Sequence, residues 1–384
     1  MRWAGSAGQG APSADVPEGV HVAEPLSDRA VRDALAQVRE PDTALPITEL
    51  GMVRGVVVQR RRVQVALALP LANHPLAGYL REQVGEALRA LGAGQVDVDV
   101  ITMGDDDRRD LRTVLQGRQA GRTPFSSARV IAVSSGKGGV GKSSLSTNLA
   151  VTLARRGQRV ALIDADVYGF SIPRMIGIAR RPVIVDELLI PPRAYDVAVI
   201  SVALFASDEQ TPIIWRGPML HKALQQFVTD VYWGTPEVVI IDMPPGTGDV
   251  ALTMAQILPL SEVVVVTTPQ PAAQKVAQRA AYMARKVNLA VSGVIENMSW
   301  FTADDGQRYE LFGAGGGDLL AQQLGVPLLG QVPLIPALRE GADTGQPIVV
   351  SEPDGEAARA IGAVADNLLA ATVRRRGLPL LRVT

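Results

Sequence analysis

The chain has 384 residues, 47% hydrophobic and 20% charged, with a net charge of −1 and no cysteine. That length allows one large domain and a smaller companion, and the balance of apolar to charged residues is that of a soluble, folded chain. Disulfides and thiolate ligands for zinc or an iron–sulfur cluster are excluded, no global field draws the chain to nucleic acid or an anionic membrane, and no apolar run approaches the roughly 20 residues of a membrane span.

Residues 1–25, MRWAGSAGQGAPSADVPEGVHVAEP, are rich in Gly, Pro, Ala and Ser and lack the apolar centre of a signal peptide. They predict a mobile tail on a cytoplasmic protein. A first folded unit is expected over 26–104. Val31, Leu35 and Val38 recur at helical spacing. MVRGVVV reads as a strand, and VQVALAL alternates as a half-buried strand does. Leu76, Leu80, Val84, Leu88 and Leu91 trace a helical stripe after Pro75. QVDVDV alternates again, with Asp97 and Asp99 on the wet side. Helix, strand, strand, helix, strand is the order of a small α+β domain. The charged stretch that follows is expected to be a solvated linker over 105–128.

From Arg129 to 372 the pattern changes. VIAVS, VALID, VAVISV, VVIID, VVVVTT and VSGVIE are short continuous apolar runs, as in strands covered on both faces of a parallel sheet. Helical patterns separate them. Leu145, Leu149 and Leu153 form one stripe, ended by Gly157; Leu220, Leu224, Phe227 and Val231 form another. The fold class expected is α/β, a doubly wound, mostly parallel sheet preceded by the small α+β domain. Residues 373–384 are expected to be a C-terminal tail.

Between the strand RVIAVSS and its following helix lie Gly136, Lys137, Gly138, Gly139, Val140, Gly141, Lys142 and Ser143. This is the phosphate-binding pattern G-x-x-x-x-G-K-[ST] in its required context. Glycines let backbone N–H groups crowd a phosphate, and the helix N-terminus adds partial positive charge. Lys142 is expected to bridge the β- and γ-phosphates, with the Ser143 hydroxyl on Mg²⁺. Lys137 has two readings: a solvated loop cation, or a cation reaching the nucleotide of a second subunit. Asp164 and Asp166 follow one buried strand and Asp242 ends another, at the sheet edge where ligands of open α/β sheets bind. Asp166 is expected to position water, with Asp164 near the metal and Asp242 in the outer shell of Mg²⁺. Pro244 to Asp249 read as a switch loop sensing the γ-phosphate.

SGKGGVGKSS resembles the deviant phosphate-loop ATPases that include septum-site and partition ATPases. The longer match is to their Mrp/ApbC branch of iron–sulfur cluster carriers. LIDADVYGFSIPRM, WRGPMLHKALQQF, IIDMPPGTGD, ENMSWF and FGAGGG are all similar to that branch, over about 129–369. EPDTALPITELGMVRGV is similar to a metal–sulfur cluster assembly domain. The resemblance implies an ATP-hydrolysing homodimer with Mg²⁺, slow and partner-stimulated, in which Lys137 acts across the dimer and Asn297 touches adenine. PLIPALREGAD would close the base pocket from the other side. It also implies transfer of iron–sulfur clusters to apoprotein or assembly-factor clients. The alternative is a positioning or partition ATPase on membrane or DNA, though neither surface leaves a clear signal in this chain.

One departure stands out. The resemblance implies a Cys-x-x-Cys pair after ENMS, and this chain has Thr302, Ala303, Asp304, Asp305 and Gly306 there. The small domain's cysteine before a proline is replaced by His74, which has two readings, a metal ligand or, as more often for a lone loop histidine, polar surface. Carboxylates are poor ligands for a cluster built around soft thiolates.

Overall fold

In a computed structural model, which describes residues 26–119, 125–166, 169–205, 217–246 and 249–371, Ser27 caps the first helix by accepting from the Ala30 N–H at 3.1 Å. The expected tails lie outside the described residues, as do Thr247 and Gly248 of the expected switch loop. Helix α1 (Asp28–Leu35) precedes strands β1 (Val53–Gln59) and β2 (Arg62–Leu69), helix α2 (Ala77–Ala90) and strand β3 (Gln95–Thr102). β1 and β2 pair antiparallel, and β2 and β3 run parallel.

The charged stretch expected as a solvated linker instead forms α3 (Asp105–Gln119). Three aspartates sit in its first turn and Arg118 in its last, complementing the helix dipole. Leu111 and Leu115, one turn apart, are buried in the small domain's core. Charge density hid this two-residue apolar stripe.

The larger unit runs β4 (Arg129–Ser135), α4 (Lys142–Arg155), β5 (Val160–Asp164), α5 (Ile172–Met175), β6 (Val183–Val185), β7 (Leu188–Ile190), β8 (Arg193–Ala194) and β9 (Val197–Ser201). It continues with α6 (Gly217–Thr229), β10 (Val238–Asp242), α7 (Asp249–Ile257), β11 (Glu262–Thr267), α8 (Pro271–Lys286) and β12 (Ala290–Asn297). Strands β13 (Phe301–Thr302) and β14 (Arg308–Tyr309) form a hairpin. Helix α9 (Gly316–Leu324), β15 (Leu328–Val332), α10 (Pro336–Thr344), α11 (Ile348–Ser351) and α12 (Glu356–Ala370) complete it. Val231, expected on the stripe of α6, lies beyond that helix and bridges Leu189.

The main sheet has the order β15-β12-β11-β4-β10-β5-β9-β8. Every pairing is parallel except that of the edge strand β8. β5, β9, β10 and β11 are buried at every residue, which is why they read as unbroken apolar runs. In register, Asp242 lies beside Val133 on one side and Asp164 on the other. Two carboxylates thus emerge next to the loop that leaves β4. On the far side of the unit, the β6–β7 hairpin places Val183, Val185, Leu188 and Ile190 in the small domain's core.

Candidate nucleotide site

The loop from Gly136 to Gly141 joins β4 to α4. A Cβ on Gly136 would sit 2.3 Å from the Val276 carbonyl carbon and 2.4 Å from the Ala277 nitrogen, so only glycine lets the loop lie on α8. Gly141 has φ +78°, and a Cβ there would sit 2.2 Å from Asn297 Nδ2. The α4 helix then starts at Lys142, its N–H groups facing the loop.

Lys142 is nearly buried, with Nζ 2.8 Å from Asp242 Oδ2 and 3.7 Å from Asp166 Oδ2. Ser143 Oγ donates to Asp242 Oδ2 at 2.6 Å, and Ser146 Oγ donates to Oδ1 at 2.7 Å. A fully buried carboxylate is therefore held by one cation and two hydroxyls. Asp166 Oδ1 accepts from the Gly169 N–H at 3.1 Å.

Asp164, expected near the metal, bonds to the backbone and to Ser201. Its Oδ1 accepts from Asp166 N at 3.2 Å, and its Oδ2 accepts from Ser201 Oγ at 2.9 Å and Ile172 N at 3.4 Å. Both oxygens serve the loop. Burial first, and then the charge of Asp242, push this carboxyl up to about 7. Among the described residues, no group of three or more His, Asp or Glu side chains is placed to hold a metal ion. Ser143 and Asp242 remain the pair that fits Mg²⁺ together with phosphate oxygens.

Lys137 does not enter its own loop: Nζ donates to Gln270 Oε1, at the start of α8, at 3.3 Å. Asn297, at the end of β12, is 2% exposed and donates from Nδ2 to the Val140 carbonyl at 2.9 Å. Its Oδ1 is buried without a partner, and so is Ser144 Oγ in the first turn of α4. Orphaned polar atoms of this kind beside a glycine loop fit a ligand that supplies the missing hydrogen bonds. Sequence reading missed Ser144, Ser146, Ser201 and Gln270. Ser144 had a signal as the last residue of SGKGGVGKSS, and Ser146 lies one helical turn past Lys142.

The residues where a thiol pair would fall are tied up locally. Thr302 Oγ1 and Trp300 Nε1 both donate to Glu356, at 2.9 and 3.0 Å. Arg308 donates to the same carboxylate at 2.8 Å and lies over the Trp300 ring, 4.5 Å from its centroid. These side chains do not fit an iron–sulfur cluster. His74, expected at the surface, is 6% exposed, and its Nδ1 accepts from Leu76 N at 3.2 Å. Burial pushes its imidazole down to about 4.

A parallel sheet with a glycine-lysine loop at its centre and acidic strand ends beside it defines a P-loop nucleoside triphosphatase. Residues 126–369 match the family model described as NUBPL iron-transfer P-loop NTPase, and residues 28–100 match that of an iron–sulfur cluster assembly protein. The chain belongs to this iron–sulfur cluster carrier family. It is 45% identical over 362 residues to an iron–sulfur cluster carrier protein of Mycobacterium tuberculosis (strain H37Rv), covering 91% of this chain and 94% of that one. The carrier protein of Bacillus subtilis is 41% identical over 312 residues, covering 80% and 88%. A nucleotide-binding protein from Archaeoglobus fulgidus, solved in complex with ADP, is 30% identical with a TM-score of 0.52, covering 66% and 95%. Among the described residues, no helix is long and apolar enough to cross a membrane.

Proposed function

We propose that this chain is a slow, partner-stimulated cytoplasmic ATPase that works as a homodimer and assists the assembly of metal centres in client apoproteins, without thiolate ligands of its own. The observation that carries the ATPase half is the buried Lys142, held between Asp242 and Asp166 beneath a glycine loop. Buried ion pairs are a weak source of stability, and a phosphate group is the partner that lysine in such a loop serves. In this reading Lys142 turns from Asp242 to the β- and γ-phosphates of ATP. Gly136 to Ser143 line the phosphates with N–H groups, Ser144 Oγ and Asn297 Oδ1 supply the two unused polar atoms, and Asn297 faces the adenine. Bound Mg²⁺, held by Ser143 and through water by Asp242, would neutralise phosphate charge. Asp166 holds the attacking water, and Asp164 holds Asp166. Lys137 leaves Gln270 and reaches the nucleotide of the second subunit.

With no cysteine in the chain, any cluster it helps to move must be ligated by thiols of a partner or of a small molecule. The test combines nucleotide calorimetry, phosphate release and anaerobic reconstitution with iron and sulfide. The expected results are ATP binding that Lys142→Ala abolishes, and no stable charge-transfer absorbance after desalting. Absorbance that survives desalting in stoichiometric amount refutes the thiol-free reading. Unchanged ATP affinity in Lys142→Ala refutes the site. ATP-dependent co-sedimentation with liposomes or DNA would instead support a positioning role.

A further inference from the structure

The stretch from Gly169 to Arg180 is anchored at three places. At its near end, Ile172 N donates to Asp164 Oδ2 and Gly169 N donates to Asp166 Oδ1. In its middle, the turn after α5 meets the end of α10. A Cβ on Gly177 would lie 2.8 Å from Gly345 O, and one on Gly345 would lie 2.6 Å from Gly177 Cα. Both glycines have positive φ, +75° and +74°, so this contact has no slack.

At its far end the segment leaves the ATPase unit. The Arg180 guanidinium grips the Asp42 carboxylate of the small domain with both terminal nitrogens, Nη2 to Oδ1 at 2.6 Å. The same Nη2 donates to Arg193 O at 3.1 Å, and Arg193 N donates to Asp42 Oδ1 at 3.0 Å. The Asp42 side chain is 1% exposed. Its loop is pinned in turn by Glu40, whose carboxylate accepts from Asp42 N at 3.1 Å and Thr43 N at 2.7 Å. A bidentate, buried pair of this kind fixes position as well as charge, and loss of either partner leaves the other uncompensated.

We propose that Asp42 is a positioning residue for the nucleotide site: through Arg180 the small domain holds one end of the stretch whose other end, at Gly169, donates to Asp166, so that domain docking and ATP hydrolysis are coupled. This rests on the assignment of Asp166 to the reacting water. Coupling between sites is reciprocal in binding free energy, so nucleotide binding must in turn be felt at Asp42.

Two measurements on the full chain test it. In Asp42→Asn and Arg180→Gln, single-turnover hydrolysis at saturating nucleotide should slow about tenfold, nucleotide Kd should weaken as the reciprocity requires, and the double variant should be no slower than either single one. A merely structural latch would leave kcat untouched. Turnover within about twofold of wild type in folded variants overturns the proposal. The second measurement needs no variant at the latch. Hydrogen exchange of the wild-type chain with and without a non-hydrolysable ATP analogue should change at residues 39–46, and Lys142→Ala should show no such change. Protection of residues 136–143 with no change at 39–46 overturns the coupling and leaves the ATPase reading intact. Absence of protection at 136–143 overturns the ATPase reading itself.

Discussion

Replacing Gly141 with alanine puts one methyl group where the phosphate loop has no room. The residue sits at φ +78°, and the new Cβ would meet Asn297 Nδ2 at 2.2 Å, more than 1 Å inside ordinary contact. The left-handed conformation costs an L-residue about 1–2 kcal/mol. The Asn297 amide must also move, and it then gives up the buried Val140 carbonyl, which costs about 1–3 kcal/mol. Gly141→Ala should therefore destabilise the chain by about 2–5 kcal/mol. Asn297→Ala removes the same bond without the backbone strain. The double variant loses that bond only once, so it should be more stable than the sum of the singles by about 1–3 kcal/mol. Urea unfolding followed by tryptophan fluorescence gives all three values, and calorimetry gives the loss of ATP affinity. Additivity within about 0.5 kcal/mol would show that Asn297 does not brace the loop, and the reasoning would fail.

Lys142→Ala should abolish ATP binding measured by calorimetry, because the proposed site has the buried ammonium beside Asp242 turn to the phosphates. Lys137→Ala should keep nucleotide affinity yet cut steady-state phosphate release by about 10³-fold, as loss of an in-trans cation does elsewhere. Normal turnover would return Lys137 to a loop cation resting on Gln270. His74 gives a pH signature. Burial holds its imidazole down to about 4, against about 6.5 when unfolded. Its contribution is present above pH 6.5 and is lost as pH falls toward 4, because only the unfolded chain takes up the proton there. The loss amounts to at most about 3 kcal/mol. In His74→Gln, stability by urea unfolding should fall less steeply over that window, and an unchanged slope would place His74 in water.

The parallel sheet was legible because its strands are covered on both faces, and VALID, VVIID and VVVVTT have no polar alternation to confuse them. The phosphate loop was legible because its glycines and lysines fall at a fixed spacing between a strand and a helix. Asp242 followed from its place at a strand end. The limits have physical causes as well. Leu111 and Leu115 make too small a stripe to show α3 against its charges. The three-residue strands β6 and β7 are too short for any period. Ser201 reaches Asp164 only because β5 and β9 are neighbours, and neighbour order across a sheet is not written in local spacing. His74 looked like a surface loop residue because its burial beside Asp42 and Arg180 comes from parts of the chain distant in sequence.

The β6–β7 ribbon belongs to one half by chain order and to the other by packing, since Val183, Val185, Leu188 and Ile190 share an interior with Leu35, Leu67 and Leu88. A scissor cut at residues 120–124 would consequently leave greasy surface on both products. Each half alone should be prone to clump, while the two mixed together should reassemble, and the intact chain should melt in a single event rather than as two beads on a string.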